Sequence, residues 1–131
     1  MFANGVGGTG LFDEASDVTI DAAGNVIMVG AFNGTVDFDP GPAVTNLTSL
    51  DFDIFVAKYS PSGNLIWAKS VGGPFSDGGQ SVDVDSFGNV YFTGSLFGAI
   101  DFDPGSGTTK LTSNGANDVF LAKWSTDGEF L

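Results

Sequence analysis

Four aspartates are spaced in a way that invites chemistry. Asp37 and Asp39 flank Phe38, Asp101 and Asp103 flank Phe102, and each trio runs directly into Pro-Gly. Side chains alternate along an extended strand, so both carboxylates of a pair project to one side and the phenyl ring to the other. The carboxylates of a pair would sit roughly 6–7 Å apart, with the chain turning immediately afterwards. Two carboxylates beside turn carbonyls suit a hard cation, and Ca2+ accepts such flexible oxygen ligation. Asp51 and Asp53, or Asn117 and Asp118, offer further oxygens. The spacing does not match the EF-hand loop. Aspartates at such positions also cap turns and keep an exposed strand edge soluble. Turn capping is the first expectation, and Ca2+ binding by Asp37, Asp39, Asp101 and Asp103 is the alternative.

Other chemistry finds few parts. The chain has no Cys and no His, which removes thiolate chemistry, disulfides and the commonest general base and metal ligand. It has no Arg either, so bidentate clamps on phosphate or carboxylate are absent. A carboxylate pair working as acid and base remains, but it needs two unequal environments. Both Asp-Phe-Asp stretches keep the same surroundings, and no enzymatic activity is expected. Asp21, Asp83 and Asp85 fall on what reads as an innermost strand, where a ring of acids would hold a cation. Bonding of Asp21 and Asp85 to their own hairpin turns is the plainer expectation. Trp67, Trp124, Tyr59 and Tyr91 have flat faces of the kind that stack on sugars, yet their strand patterns assign them to packing.

Charge narrows the partners. Sixteen acidic residues against four basic ones give a net charge of −12, which argues against nucleic acid or an anionic membrane. No apolar run approaches the roughly 18 residues of a bilayer span. Met1-Phe2-Ala3-Asn4-Gly5 has neither the basic region nor the apolar core of a signal peptide. Only Glu14 and Glu129 among the acids are Glu; the rest are Asp, a poor helix former that favours turns between strands.

The elements that position these residues come in two copies. Val36-Asp37-Phe38-Asp39-Pro40-Gly41 returns as Ile100-Asp101-Phe102-Asp103-Pro104-Gly105, 64 residues later. The same offset carries Gly24-Asn25-Val26 onto Gly88-Asn89-Val90 and Leu47-Thr48-Ser49 onto Leu111-Thr112-Ser113. After one inserted residue, Asp53, Phe55, Ala57 and Lys58 match Asp118, Phe120, Ala122 and Lys123 at an offset of 65. Residues 1–131 therefore read as one module of two repeats, about 2–66 and 67–131.

Short apolar runs bounded by turn signals make the chain all-β. Strands are expected near Asp17–Asp21, Val26–Phe32, Ile54–Tyr59 and Leu65–Ser70. The second copy should repeat them near Ser81–Asp85, Val90–Leu96, Val119–Trp124 and Phe130–Leu131. The longer excursions Gly34–Phe52 and Gly98–Asn117 should each carry a short extra strand, Thr35–Phe38 and Ala99–Phe102. Val26-Ile27-Met28-Val29 and Ile54-Phe55-Val56-Ala57 are apolar at every position, whereas a sheet with one wet face would alternate. Sheets apolar on both faces must be covered on both, as blades are in a propeller.

The pattern Asp-x-x-Gly-Asn-Val, then Asp-(Ile/Val)-Phe-x-Ala-Lys-(Tyr/Trp)-Ser-x-x-Gly, then Trp67-Ala68-Lys69-Ser70-Val71-Gly72-Gly73 resembles the bacterial β-propeller repeat of the SBBP type. The resemblance covers essentially the whole chain. It implies one four-stranded antiparallel blade per repeat and extracellular or cell-surface bacterial proteins, with no shared activity or catalytic residues. Such propellers close with about six to eight blades, and this chain has two repeats.

Phe2-Ala3-Asn4-Gly5-Val6-Gly7-Gly8 matches Trp67–Gly73 at an offset of 65, and Phe130-Leu131 match Leu65-Ile66. The first segment reads as the end of a fourth strand and the last as its beginning. Phe2, Ala3, Val6, Phe130 and Leu131 are thus the expected contacts between chains in a head-to-tail ring. Three chains making six blades are expected ahead of four making eight. The functional expectation is a non-catalytic structural or interaction scaffold. The alternative is a ligand-binding propeller, lectin-like or Ca2+-dependent.

Overall fold

In the computed structural model, residues 1–131 form eight strands in two antiparallel sheets, with no helix. The strands are β1 (Gly7–Gly8), β2 (Asp13–Ile20), β3 (Val26–Asp37), β4 (Asn46–Tyr59), β5 (Leu65–Val71), β6 (Gly78–Val84), β7 (Val90–Asp101) and β8 (Lys110–Trp124). In the first sheet β3, β4 and β5 follow one another as hairpins, while β2 and the two-residue β1 share the other edge of β3. The second sheet runs β6-β7-β8.

The turn chemistry read from the sequence makes the hairpins. Asp21 Oδ1 accepts the amides of Ala23 and Asn25, and Gly24 takes φ 81°. Asp85, Phe87, Asn89 and Gly88 repeat this arrangement in the second copy. The expected extra strands at 35–38 and 99–102 are not separate. β3 continues through a bulge at Gly34, φ 79°, where the register steps from Asn33↔Phe52 to Thr35↔Thr48. The Ser49 hydroxyl accepts the Gly34 amide there, so the bulged donor is satisfied and pairing resumes. Gly98 and Ser113 do the same in β7.

The two sheets are unequal, which corrects the expectation of two four-stranded blades. The first has its four long strands plus β1. The second has three, and the expected strand at 130–131 is a single bridge, Trp124↔Phe130.

One apolar cluster joins the sheets. Ile27, Val29, Ile54 and Val56 from the first meet Val82, Phe92, Leu96 and Phe120 from the second, among others. Burial at roughly 1.5–3 kcal/mol per large apolar side chain makes this seam the main source of cohesion. A smaller cluster of Phe32, Val36, Phe38, Phe55, Ala57 and Tyr59 lies on the other face of the first sheet. The glycines at the β2–β3 and β6–β7 crossings are steric requirements. A Cβ on Gly30 would collide with the Glu14 carbonyl oxygen, and one on Gly94 with that of Gly78.

Candidate functional site: acidic turns and the sheet junction

The four aspartates that invited a metal are placed as turn caps. Asp37 Oδ1 accepts the amides of Asp39 at 3.0 Å and Thr45 at 2.8 Å, and Asp39 Oδ1 accepts the Gly41 amide at 2.7 Å. Asp101 and Asp103 repeat the set on the amides of Asp103, Thr109 and Gly105. The amide bonds to Asp101 hold its carboxyl below its ordinary range.

Between each pair, the Phe backbone is fully bonded. The Phe38 amide donates to the Thr45 carbonyl, and its own carbonyl accepts the Tyr59 hydroxyl at 2.9 Å. In the second copy Trp124 Nε1 takes the place of that hydroxyl on the Phe102 carbonyl, at 3.0 Å. Phe38 and Phe102 are both buried. The motif therefore works as a latch, with ring in the core, carbonyl clamped and carboxylates closing the turn.

One carboxylate oxygen of each Asp is committed to amides, and Ca2+ asks for six to eight oxygens. Asp53 pairs with Phe32, five positions along β3 from Asp37, hence about 16 Å away. No three His, Cys, Asp or Glu side chains come together as metal ligands. These residues serve as turn caps.

The junction between the sheets carries polar groups that sequence reasoning left unassigned. Lys58 on β4 forms a buried ion pair with Asp21, Nζ to Oδ2 3.0 Å, and reaches across to Thr126, 2.8 Å to its hydroxyl and 3.3 Å to its carbonyl. Burial would raise the Asp21 carboxyl, but bonds from Asn25 and Lys58 outweigh it and hold the pKa at about 2. Trp67 Nε1 donates to the same Thr126 carbonyl at 3.0 Å. Asp17 on β2 accepts the Ser81 hydroxyl and the Val82 amide of β6. The matched Lys58 and Lys123 in a chain with four basic residues were the available signal.

A second buried group is Asp53. It is 7% exposed, its Oδ1 has no hydrogen-bond partner, and its carboxylate lies against Gly72. Burial, reinforced by the charges of Asp77 and Asp51, pushes its pKa up to about 7. Asp77 is also buried and raised, although it accepts the amides of Gly73 and Phe97. Neither residue lines a surface hollow.

The remaining candidates are dispersed. Asp83 is exposed and bonds only the Val84 amide, and Asp85 serves its hairpin turn and the Tyr91 hydroxyl. Trp124 and Tyr59 are buried, Trp67 packs against the shared cluster, and Tyr91 lies beneath Lys123 Nζ at 5.1 Å. Phe2 and Ala3 are exposed, and Val6 rests on the smaller cluster. Phe130 packs against the shared cluster, and Leu131 is exposed.

A repeat all-β architecture of two stacked antiparallel sheets defines the class. No protein-family model matches the chain, so the SBBP type is not singled out. The chain is similar to an uncharacterized WD repeat-containing protein, L264, of Acanthamoeba polyphaga mimivirus, 28% identical over 124 residues. The match covers 87% of this chain and 9% of that protein's length. WD repeats build β-propellers, so the likeness agrees with the stacked sheets in pointing to a repeat, propeller-like protein.

Proposed function

We propose that the chain is a two-blade propeller module serving as a non-catalytic interaction scaffold, with the ring completed by further copies of itself. The observation that carries the reading is the seam, where two homologous sheets stack face to face around one apolar cluster. That is how neighbouring blades pack. What supports the non-catalytic reading is the site chemistry: every Asp-Phe-Asp carboxylate closes a turn, and Asp53 and Asp77 are buried. The likeness to a WD repeat-containing protein supports the same class.

Light scattering on a sizing column tests the assembly. Three copies of the 13.4 kDa chain would have a mass of about 40 kDa, the expected result, and four copies would make an eight-bladed ring. A folded species at the mass of one chain across the concentration range would refute self-completion.

A further inference from the structure

We infer that the outer edge of β8 takes residues 2–6 of a second copy as its fourth strand, in a fixed antiparallel register, so that the second sheet of one chain stacks on the first sheet of the next. This rests on the scaffold reading above and adds to it a surface, a partner segment and a register.

The argument starts from matched positions that differ only in what covers them. Ile54 and Val56 are fully buried at the seam, while their counterparts Val119 and Leu121 are 84% and 73% exposed. The reverse holds on the other side. Val82 is 6% exposed because the first sheet covers it, while its counterpart Val18 is 59% exposed. One outer face of the chain therefore carries the pattern that receives a following sheet, and the other the pattern that receives a preceding one. The seam inside the chain is the template for both, so the complementary occupant is another sheet of this kind. A second copy supplies it.

Residues 2–8 already sit where a preceding sheet's last strand belongs. The Phe2 ring lies over Gly63 as the Trp67 ring lies over Gly128, and Asn4 packs on Gly63 as Lys69 does on Gly128. Asn4 Nδ2 is further held by the Gly63 carbonyl at 2.7 Å. Gly8 approaches the Thr35 carbonyl as Gly73 approaches that of Ala99. Residues 2–6 nevertheless pair with no strand. They are positioned but unpartnered, and so is the β8 edge along Val119–Ala122, which stops where the Lys123 carbonyl accepts the Leu131 amide.

The register follows from the first sheet, where Ile54, Val56, Ala57 and Lys58 face Val71, Lys69, Ala68 and Trp67. Transposed, Val119 faces the second copy's Val6, Leu121 its Asn4, Ala122 its Ala3 and Lys123 its Phe2. Phe130, bridged to Trp124, begins the strand that Phe2 continues. Each chain carries a net charge of −12, so copies repel and association should tighten as salt screens them.

The chain lacks Cys, so introduced cysteines report the register cleanly. The double variant Asn4→Cys, Leu121→Cys, oxidised at about 0.5 M salt, where screening is short-ranged, should give covalent dimers and larger species. The off-register double variant Asn4→Cys, Val119→Cys should give at least tenfold less. Both variants, when reduced, should keep the wild-type circular dichroism and light-scattering mass. Multimers by mass with no register-dependent linking would overturn this junction and leave the scaffold reading standing. A folded wild-type chain that stays single at high salt would overturn the second copy as occupant and self-completion with it.

Discussion

Replacing Asp53 by asparagine should raise stability at pH 8, and by much less, about 1 kcal/mol, at pH 4.5. The carboxyl is buried with one oxygen unpartnered, and burial, then the charges of Asp77 and Asp51, lift its pKa from the ordinary 3.8 to about 7. The folded chain therefore holds a proton that the unfolded chain has already released. For a raised acid, the favourable contribution is fully present below the unfolded pKa and is lost as pH rises through the folded one. The window runs from about pH 4 to about pH 7, and the full difference corresponds to about 4 kcal/mol. Asparagine keeps a buried polar group but no charge, so a gain of about 2–4 kcal/mol at pH 8 is expected. Urea unfolding of both proteins at pH 4.5, 6 and 8 measures it. A gain of the same size at all three pH values would refute the reasoning. Asp21 has the opposite sign. Its pKa of about 2 stabilises the fold above about pH 4, and that stability is lost as pH falls toward 2. Together these two groups place the optimum on the acid side of neutrality.

Three further predictions concern the latch and the crossings. Tyr59→Phe leaves the Phe38 carbonyl without its buried donor and should cost about 1–3 kcal/mol in chemical unfolding; a neutral change would mean that the clamp contributes nothing. Gly94→Ala drives a Cβ into the Gly78 carbonyl and should lower the unfolding free energy by about 1–3 kcal/mol or more, whereas Gly115→Ala, with open space around it but φ 98°, should cost less. Asp37→Ala removes the acceptor for two amides and should cost about 1–2 kcal/mol equally with chelator and with Ca2+. A loss seen only in Ca2+ would make that carboxylate a metal ligand.

The repeats and their turns were legible because both are local. Asp21 and Gly24, or Asp85 and Gly88, specify a hairpin within five residues. Strand lengths were not. Gly34 reads as a stop, and only the Ser49 hydroxyl 15 residues away turns it into a bulge through which β3 continues. Lys58 was visible as a matched residue, but its partner Thr126 is 68 positions distant, in the turn that follows β8. Asp53 was read as one more oxygen beside the acidic turns. Its burial comes with the Gly72 backbone and the Asp77 segment between β5 and β6, which no spacing announces.

The single residue by which the second repeat exceeds the first has a definite address. Between the paired positions Thr48 and Phe52 of β4 lie three residues, and between their counterparts Thr112 and Asn117 of β8 lie four. The inner pairing is untouched, with Gly94 facing Phe120 as Gly30 faces Phe55. The protein thus records a length change it has already absorbed, opposite the Gly34 and Gly98 bulges and away from the seam. That bulge is where an epitope or a short peptide tag can be spliced in, once per copy, leaving the packing of the two sheets unaltered.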